Sequence, residues 1–501
     1  MATATAYILL IFLITTPPFC SSSELTDESF MSMLISQTGL DFLKQLLVNN
    51  AIASITPLHL PQIEKAVKLP FLGQIDVELS NITIYHVDVP SSFIKPGDTG
   101  IAIVASGTSC NLSMNWHYSY GTWLVPVSIS DSGLASVQVE GMEIGLTLGL
   151  KIHEGVIDIS LLEGGCYVKD IIIKLDGGAS WLYQGMVDAF QGQIASAVEN
   201  AIAKALEEGV LKLETFLEGL PKEIPVDDIA SLNVTLVNDP LMNNNSIGLE
   251  INGLFTRTEK GKVSTVFRKN SQSSVSCTNS PKMLGILLDE AVFNSASALY
   301  YNAEFMLWTV DTLPDQSMLN TAWWRYLIPQ LYKKYPNDDM NLNISLSAPP
   351  VVRISPHGIS ATVYADLIID VLEGGNIVPV VCISLVIRGS GSVKVVQNNL
   401  AGSLQLNDFT MQLKWSQIGK LHMYLIQPVV WTLIETVCLP YANARLGKGF
   451  PLPIIHGFTL QNAEIVFSDS AVTVCSDVTF TDSYNHSKLL EYPNRWIQKF
   501  V

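Results

Sequence analysis

Nearly half of this chain is hydrophobic (48%) and only 15% is charged, yet no stretch is long and unbroken enough to read as a bilayer span. Ordinary globular domains carry about 25% charged residues. The mean hydropathy is +0.30. A chain this oily without a membrane span has two ways to place its side chains. It builds unusually large cores, or it encloses hollow apolar interiors that an apolar ligand fills. The best candidate span, Met423 to Leu439, is interrupted by Gln427, Pro428 and Glu435. It falls short of the roughly 20 apolar residues that a helical span needs.

The N-terminus reads as a secretory signal, residues 1–23. Tyr7 to Ile14 is an apolar run and Ser21, Ser22 and Ser23 offer a small-residue cleavage site, although no Lys or Arg precedes the run. The other reading, an N-terminal anchor, is disfavoured by the shortness of the run. Export makes disulfides possible for the cysteines that remain, Cys110, Cys166, Cys277, Cys382, Cys438 and Cys475. No C-x-x-C pair occurs, which argues against a zinc ribbon or a thioredoxin-type site. Sequons stand at Asn81, Asn111, Asn233, Asn244, Asn343 and Asn485, and in an exported chain they mark surface positions for N-glycosylation.

The formal charge is −17. From Glu24 to Leu220 there are 23 acids and 9 lysines, a balance of −14, and no arginine appears before Arg257. Binding a nucleic acid backbone needs clustered cations, so nucleic acid is excluded as a partner.

The period of the apolar residues changes along the chain. Leu25 to Ile52 has a helical pattern. Ser54 to Leu175 alternates, as in Ile75, Val77, Leu79 and in Ile144, Leu146, Leu148, Leu150, and predicts a long, mostly antiparallel sheet. Trp181 to Leu217 is helical again, with Leu182, Met186, Phe190, Ile194 and Val198 opening one stripe. Such a helix, roughly 55 Å long at 1.5 Å per residue, suits an elongated architecture. Residues 221–246 read as a connector holding Pro221, Pro225 and Pro240, in which Val226 to Val237 keeps strand character. The second half repeats the outline: Leu284 to Phe305 helical, Asn341 to Leu413 strand-rich, Leu421 to Arg445 helical, Phe458 to Phe480 strands. The domains expected are therefore 24–220 and 247–481, with a tail at 482–501. The fold class is α+β, a duplicated unit of sheet and helix.

Several strings in order along the chain carry a resemblance. They are Ile35-Ser36-Gln37-Thr38-Gly39-Leu40-Asp41, Val139-Glu140-Gly141-Met142, Phe293-Asn294-Ser295-Ala296, Tyr332-Lys333-Lys334-Tyr335-Pro336-Asn337 and Gly447-Lys448-Gly449-Phe450-Pro451-Leu452-Pro453. Together they resemble the family of bactericidal/permeability-increasing and lipopolysaccharide-binding proteins. The stretch Gly178 to Val187 looks like its plant branch. The resemblance implies an elongated boomerang of two barrel-like units, each a twisted antiparallel sheet wrapped on a long helix, joined by a central sheet. It also implies an apolar tunnel for phospholipid in each unit, and Leu182, Met186, Phe190, Ile194 and Val198 are the candidate lining of the first. The family ties a strand cysteine to one on the long helix. Cys166 matches the strand position, but the helix here has no cysteine, which leaves Cys110 as its expected partner. The other four cysteines stay unassigned.

The antibacterial members carry a cationic N-terminal tip. Here the matching hairpin, Ser109 to Tyr118, has no Lys or Arg. Lys44, Lys65, Lys68 and Lys95 are the remaining candidates for a headgroup site, with His117 nearby, although scattered solvated lysines are the plainer reading. Trp116, Tyr118 and Trp123 could sit at a membrane interface, where aromatic rings are favoured, or pack as ordinary strand residues.

No reactive centre is legible. There is no G-x-S-x-G elbow, no second His at zincin spacing after His153-Glu154, and no phosphate-cradling loop. No catalytic residue, metal or cofactor is expected. The expected function is a secreted lipid-binding protein that holds phospholipid or lipopolysaccharide acyl chains in innate defence, with membrane-surface contact. The alternative is an extracellular lipid-transfer carrier without bacterial recognition. A lipid hydrolase is the outlying third reading.

Overall fold

The computed structural model describes residues 28–481 apart from 70–72, 123–124, 177–183, 258–266, 270–273, 278–280, 305 and 312–314. The expected signal, the tail, Asn485, Trp123 and Leu182 lie outside the described residues.

The alternating stretch folds into an eight-stranded antiparallel sheet. Its spine runs Leu58–His59, Gly73–Asp88, Gly100–Thr122, Val125–His153, Val156–Tyr167, and three further strands pair along its flanks. Its longest strands have 23 and 29 residues. Strands of that length would extend for some 70–100 Å if flat, at about 3.4 Å per residue. Register shifts between Ala105 and Cys110 bend the pair. Gly107 (φ +67°) and Gly141 (φ +64°) supply left-handed backbone at that bend. The curled sheet packs against the 35-residue helix Gln184–Glu218. The helix presents Val187, Phe190, Ile194, Val198 and Ile202 at helical spacing, all buried. Each contributes about 2 kcal/mol of burial.

Two segments expected to be wholly helical begin as strands. Met31–Ser36 pairs with Ser246–Ile251 on one side and Leu284–Asp289 on the other, and helices follow at Gln37–Ser54 and Glu290–Asn302. Leu284 to Asp289 is buried at every position. A strand covered on both faces shows no alternation, so its period is silent and a following helix extends backwards over it in a sequence reading. Ser36 and Asp289 mark the true starts, accepting hydrogen bonds from Gly39 N and Ala291 N.

These strands form the central six-stranded sheet, in the order Leu241–Asn243, Ser246–Ile251, Met31–Ser36, Leu284–Asp289, Ala471–Phe480, Phe458–Ser468. The two units meet closely here: a Cβ on Gly39 would lie 2.4 Å from Met283 O. The connector is folded, contributing Ala230–Asn233 to a separate three-stranded sheet.

The C-terminal unit is a second antiparallel sheet, with main strands Asp339–Leu346, Gly358–Glu373, Asn376–Val396 and Asn399–Ser416. Its helix departs from the expected duplication. Met423–Leu446 spans 24 residues and is long and apolar enough to cross a membrane by length and composition, but it is broken by a π turn at Ile434–Cys438 and carries Pro428. Pro removes a backbone donor and interrupts the ladder. Ile426, Val430, Leu433 and Ile434 still face the sheet's core.

Among the described residues one disulfide is present, Cys277–Cys475, tying the segment before Leu284 to the central sheet. Cys110 and Cys166 are free thiols, which corrects the pairing expected for them. Cys110 is buried on the strand Gly100–Thr122 and Cys166 sits on Val156–Tyr167, so the strand Val125–His153 runs between them.

Candidate functional site

Each unit has a partly open apolar space between its sheet and its helix. In the N-terminal unit that space is small, about 40 Å³. Strand alternation turns Met114, Trp116 and Tyr118 inward, and Phe190 and Ile194 of the long helix meet them. These large side chains fill most of what an open tunnel would need. Trp116 Nε1 donates to Leu134 O at 3.1 Å, and its ring lies parallel to Tyr118 with centroids 6.3 Å apart. Both rings are therefore buried in the wall, the strand-packing reading of the two the sequence allowed. His117, one residue out of phase, is exposed.

Of the expected tunnel residues, Phe190 and Ile194 line this space. Val198 is fully buried one turn further along. Met186 belongs to the first turn of the helix.

The candidate lysines do not converge. Lys65 is half-buried on Ile63–Leu69 with its ammonium 5.8 Å from the Phe190 ring centroid, beside the cavity. Lys68 is exposed on the same strand. Lys44 and Lys95 stand toward the central sheet instead. Lys44 Nζ donates to Ser92 O at 2.9 Å and pairs with Asp41 at 3.4 Å. Lys95 is exposed beside Ile94, which packs with Ile247 and Leu249. Ordinary local partners hold Lys44.

The C-terminal unit is hollower. Its cavity of about 170 Å³ is lined by Trp324, Leu367, Ile369, Ile426, Val430 and Leu433, among others. The few polar groups are tied up locally. Thr432 and Thr436 hydroxyls donate to Pro428 O and Thr432 O on their own helix, at 3.0 and 2.7 Å. Trp324 Nε1 donates to Met318 O at 2.8 Å. Asp315, at the rim, accepts from Ser317 N and Oγ. An engineered apolar cavity of about 150 Å³ stays dry and takes up benzene or xenon. The C-terminal space is of similar volume, and its apolar lining is what favours hydrocarbon over water there. Sequence reading placed its lining candidates only on the N-terminal helix. The same spacing, Ile426, Val430, Leu433, was present in the second half.

The expected glycan acceptors differ in surroundings. Asn81 and Asn244 are exposed; Asn111, Asn233 and Asn343 are half-buried. The Asn343 amide already donates to Asp370 and accepts from Thr309 Oγ1. Among the described residues no group of three or more His, Cys, Asp or Glu is placed to hold a metal.

The free thiols are built to be inert. Burial pushes Cys110, Cys166 and Cys438 each up to about 12, with the Cys166 thiol and Glu199 adding to the effect on Cys110 and Cys166 respectively. Burial also raises Cys382. The thiolate is the reactive form. At pH 8 a thiol reagent is therefore expected to label none of the four within minutes in native protein and all four in guanidinium. Rapid native labelling of Cys110 or Cys166 would contradict this packing.

Comparison with known proteins places this architecture. The profile of the LBP / BPI / CETP family N-terminal domain matches residues 39–216, and that of its C-terminal domain matches residues 225–480. A BPI/LBP family protein of Arabidopsis thaliana is 63% identical over 465 residues, covering 93% of this chain and 95% of that one. Bactericidal permeability-increasing protein of Sebastes schlegelii is 26% identical, covering 88% and 93%. The crystal structure of a lipopolysaccharide binding protein superposes with a TM-score of 0.62 at 19% identity, covering 91% of this chain and 100% of that one, and shares the fold.

Proposed function

This chain belongs to the LBP / BPI / CETP family, and from that premise we propose that it is an exported lipid-binding protein that shields acyl chains of phospholipid or lipopolysaccharide in innate defence. The carrying observation is the apolar cavity of about 170 Å³ in the C-terminal unit, whose polar neighbours are already hydrogen-bonded within the protein. Burying hydrocarbon gains about 0.8 kcal/mol per CH₂. A 16-carbon chain thus offers on the order of 10 kcal/mol before association costs. A chain that long exceeds the free space, so the sheet and helix part as it enters. Lipid holding of this kind involves no covalent step. Export is supported by the apolar run Tyr7 to Ile14 and by the sequons.

A second reading, an extracellular carrier of neutral lipid, is favoured by the N-terminal unit. Its charge of −14 over Glu24 to Leu220, its lack of arginine and its inward-turned aromatics offer little to an anionic headgroup. Native mass spectrometry of gently purified protein is expected to show lipid adducts. Competition between lipopolysaccharide and phosphatidylcholine for the bound lipid then separates the readings: displacement by lipopolysaccharide selects the first and displacement by phosphatidylcholine alone the second. Protein that runs as bare polypeptide and takes up neither would remove both.

A further inference from the structure

One end of the C-terminal unit gathers cations on an exposed aromatic face of an acidic chain. Met318–Asn337 contains Arg325, Lys333 and Lys334 and no acid, and Ser416–Tyr424 contains Lys420 and no acid. These two stretches carry +4 in a chain of −17. They lie together. Lys334 Nζ donates to Gln417 O at 3.5 Å, and Trp324, Ile328, Leu331 and Tyr335 of the first are buried in the same core as Ile418 of the second.

With those residues facing inward, what faces outward is aromatic and basic. Tyr326 is 76% exposed, Tyr424 69% and Trp415 38%. Arg325, Lys333, Lys334, Lys420 and His422 are exposed among them. The Arg325 guanidinium lies 4.5 Å from the Tyr326 ring centroid, and the His422 and Tyr424 rings are 5.8 Å apart. The bordering acids Asp315 and Asp339 accept hydrogen bonds from Ser317 and Asn320, which leave their charge in place. Asp338 adds to this border, as does Glu373, which follows the Leu372 that pairs with Asp339.

We propose that this end of the C-terminal unit docks on an anionic lipid surface. Amphipathic rings settle at the headgroup level, where one edge is dry and the other wet. Lysine and arginine add attraction to anionic headgroups. The charge complementarity is local: the rest of the molecule is acidic and is repelled, so docking is oriented with this end down. The same stretch supplies Met318 and Trp324 to the cavity wall, so the docked face covers one wall of the cavity. The docking rests on charge and exposure; only its link to loading the cavity depends on the lipid-holding reading.

The test uses full-length protein and vesicles of phosphatidylcholine, with or without half phosphatidylglycerol. Wild type is expected to co-sediment with the mixed vesicles at low salt, to release at about 0.5 M salt, where the Debye length has shrunk to a few ångströms, and to ignore pure phosphatidylcholine. Lys333→Glu with Lys334→Glu and Lys420→Glu is expected to weaken binding by at least about tenfold. Tyr326→Ser with Tyr424→Ser weakens it several-fold without changing its salt dependence. Lys65→Glu with Lys68→Glu, at the other unit, leaves it within about twofold. Melting curves and native-mass lipid content of each variant report folding and cavity occupancy separately. If the charge reversals prevent folding, Lys→Gln at the same positions replaces them. Wild type that ignores mixed vesicles, a folded reversal variant that binds as wild type does, or loss caused instead by the Lys65 and Lys68 changes overturns the proposal. Lost docking with retained lipid leaves lipid holding intact, and lost lipid with retained docking does the reverse.

Discussion

Cys475→Ser is expected to destabilise the protein by about 5 kcal/mol in guanidinium unfolding, whereas Cys110→Ser shifts it by less than about 2 kcal/mol. The Cys277–Cys475 bond closes a loop with a sequence separation of 198 residues that contains nearly all of the C-terminal sheet. Cutting it restores to the unfolded chain the freedom to separate those ends, and loop-closure entropy for a span this long is near the top of the range for a single disulfide. Cys475 is also buried in the central sheet, opposite Gly285 and Glu464, so the effect falls on the joint between the units. Cys110 is already a thiol, and its serine variant changes one atom in a buried wall. Equal effects of the two substitutions would show that the long-range link contributes little.

The second large effect separates a hollow unit from a filled one. Val430→Trp, in the C-terminal cavity of about 170 Å³, is expected to remove most of the co-purifying acyl lipid and to leave the urea midpoint nearly unchanged. Val187→Trp, in the N-terminal space of about 40 Å³, has no such room for an indole. It is expected to destabilise by about 1–3 kcal/mol through overpacking. Both valines are buried and both face a sheet from a helix, so chemistry and burial are matched and free volume is the variable. Native mass spectrometry reads the lipid and urea titration reads the stability. A Val430→Trp protein that is as unstable as Val187→Trp, or that keeps its full lipid load, would mean the C-terminal interior is ordinary core.

Much of the architecture was legible residue by residue. The stripe Phe190, Ile194, Val198 repeats at helical spacing over a helix of 35 residues, long enough for the period to dominate any local ambiguity. The alternation through Ile75, Val77 and Leu79 likewise showed one face buried. Met31–Ser36 was not legible, because only Met31 is fully buried and the other five positions are half-buried, so neither face stands out as the apolar one. For Trp116 and Tyr118 the sequence left a membrane interface and ordinary strand packing both open; their phase with Met114 on the same strand puts them on the inner face. Lys44 has Asp41 one helical turn away, a partner legible in the sequence, but Ser92 O reaches it only in the folded chain.

The order of apolar and polar residues alone determined that there would be two sheet-and-helix units, an oily interior and an acidic first half, because periodicity and charge are properties of neighbouring positions. Tertiary structure alone decided that Cys475 meets Cys277, that large rings narrow the first space more than the second, and that Lys420 joins the sequence-local cations Arg325, Lys333 and Lys334 at one end. Each of those depends on which distant side chains arrive in the same volume. Free volume and long-range contact arise from packing in three dimensions, and the local period of a chain carries no record of them.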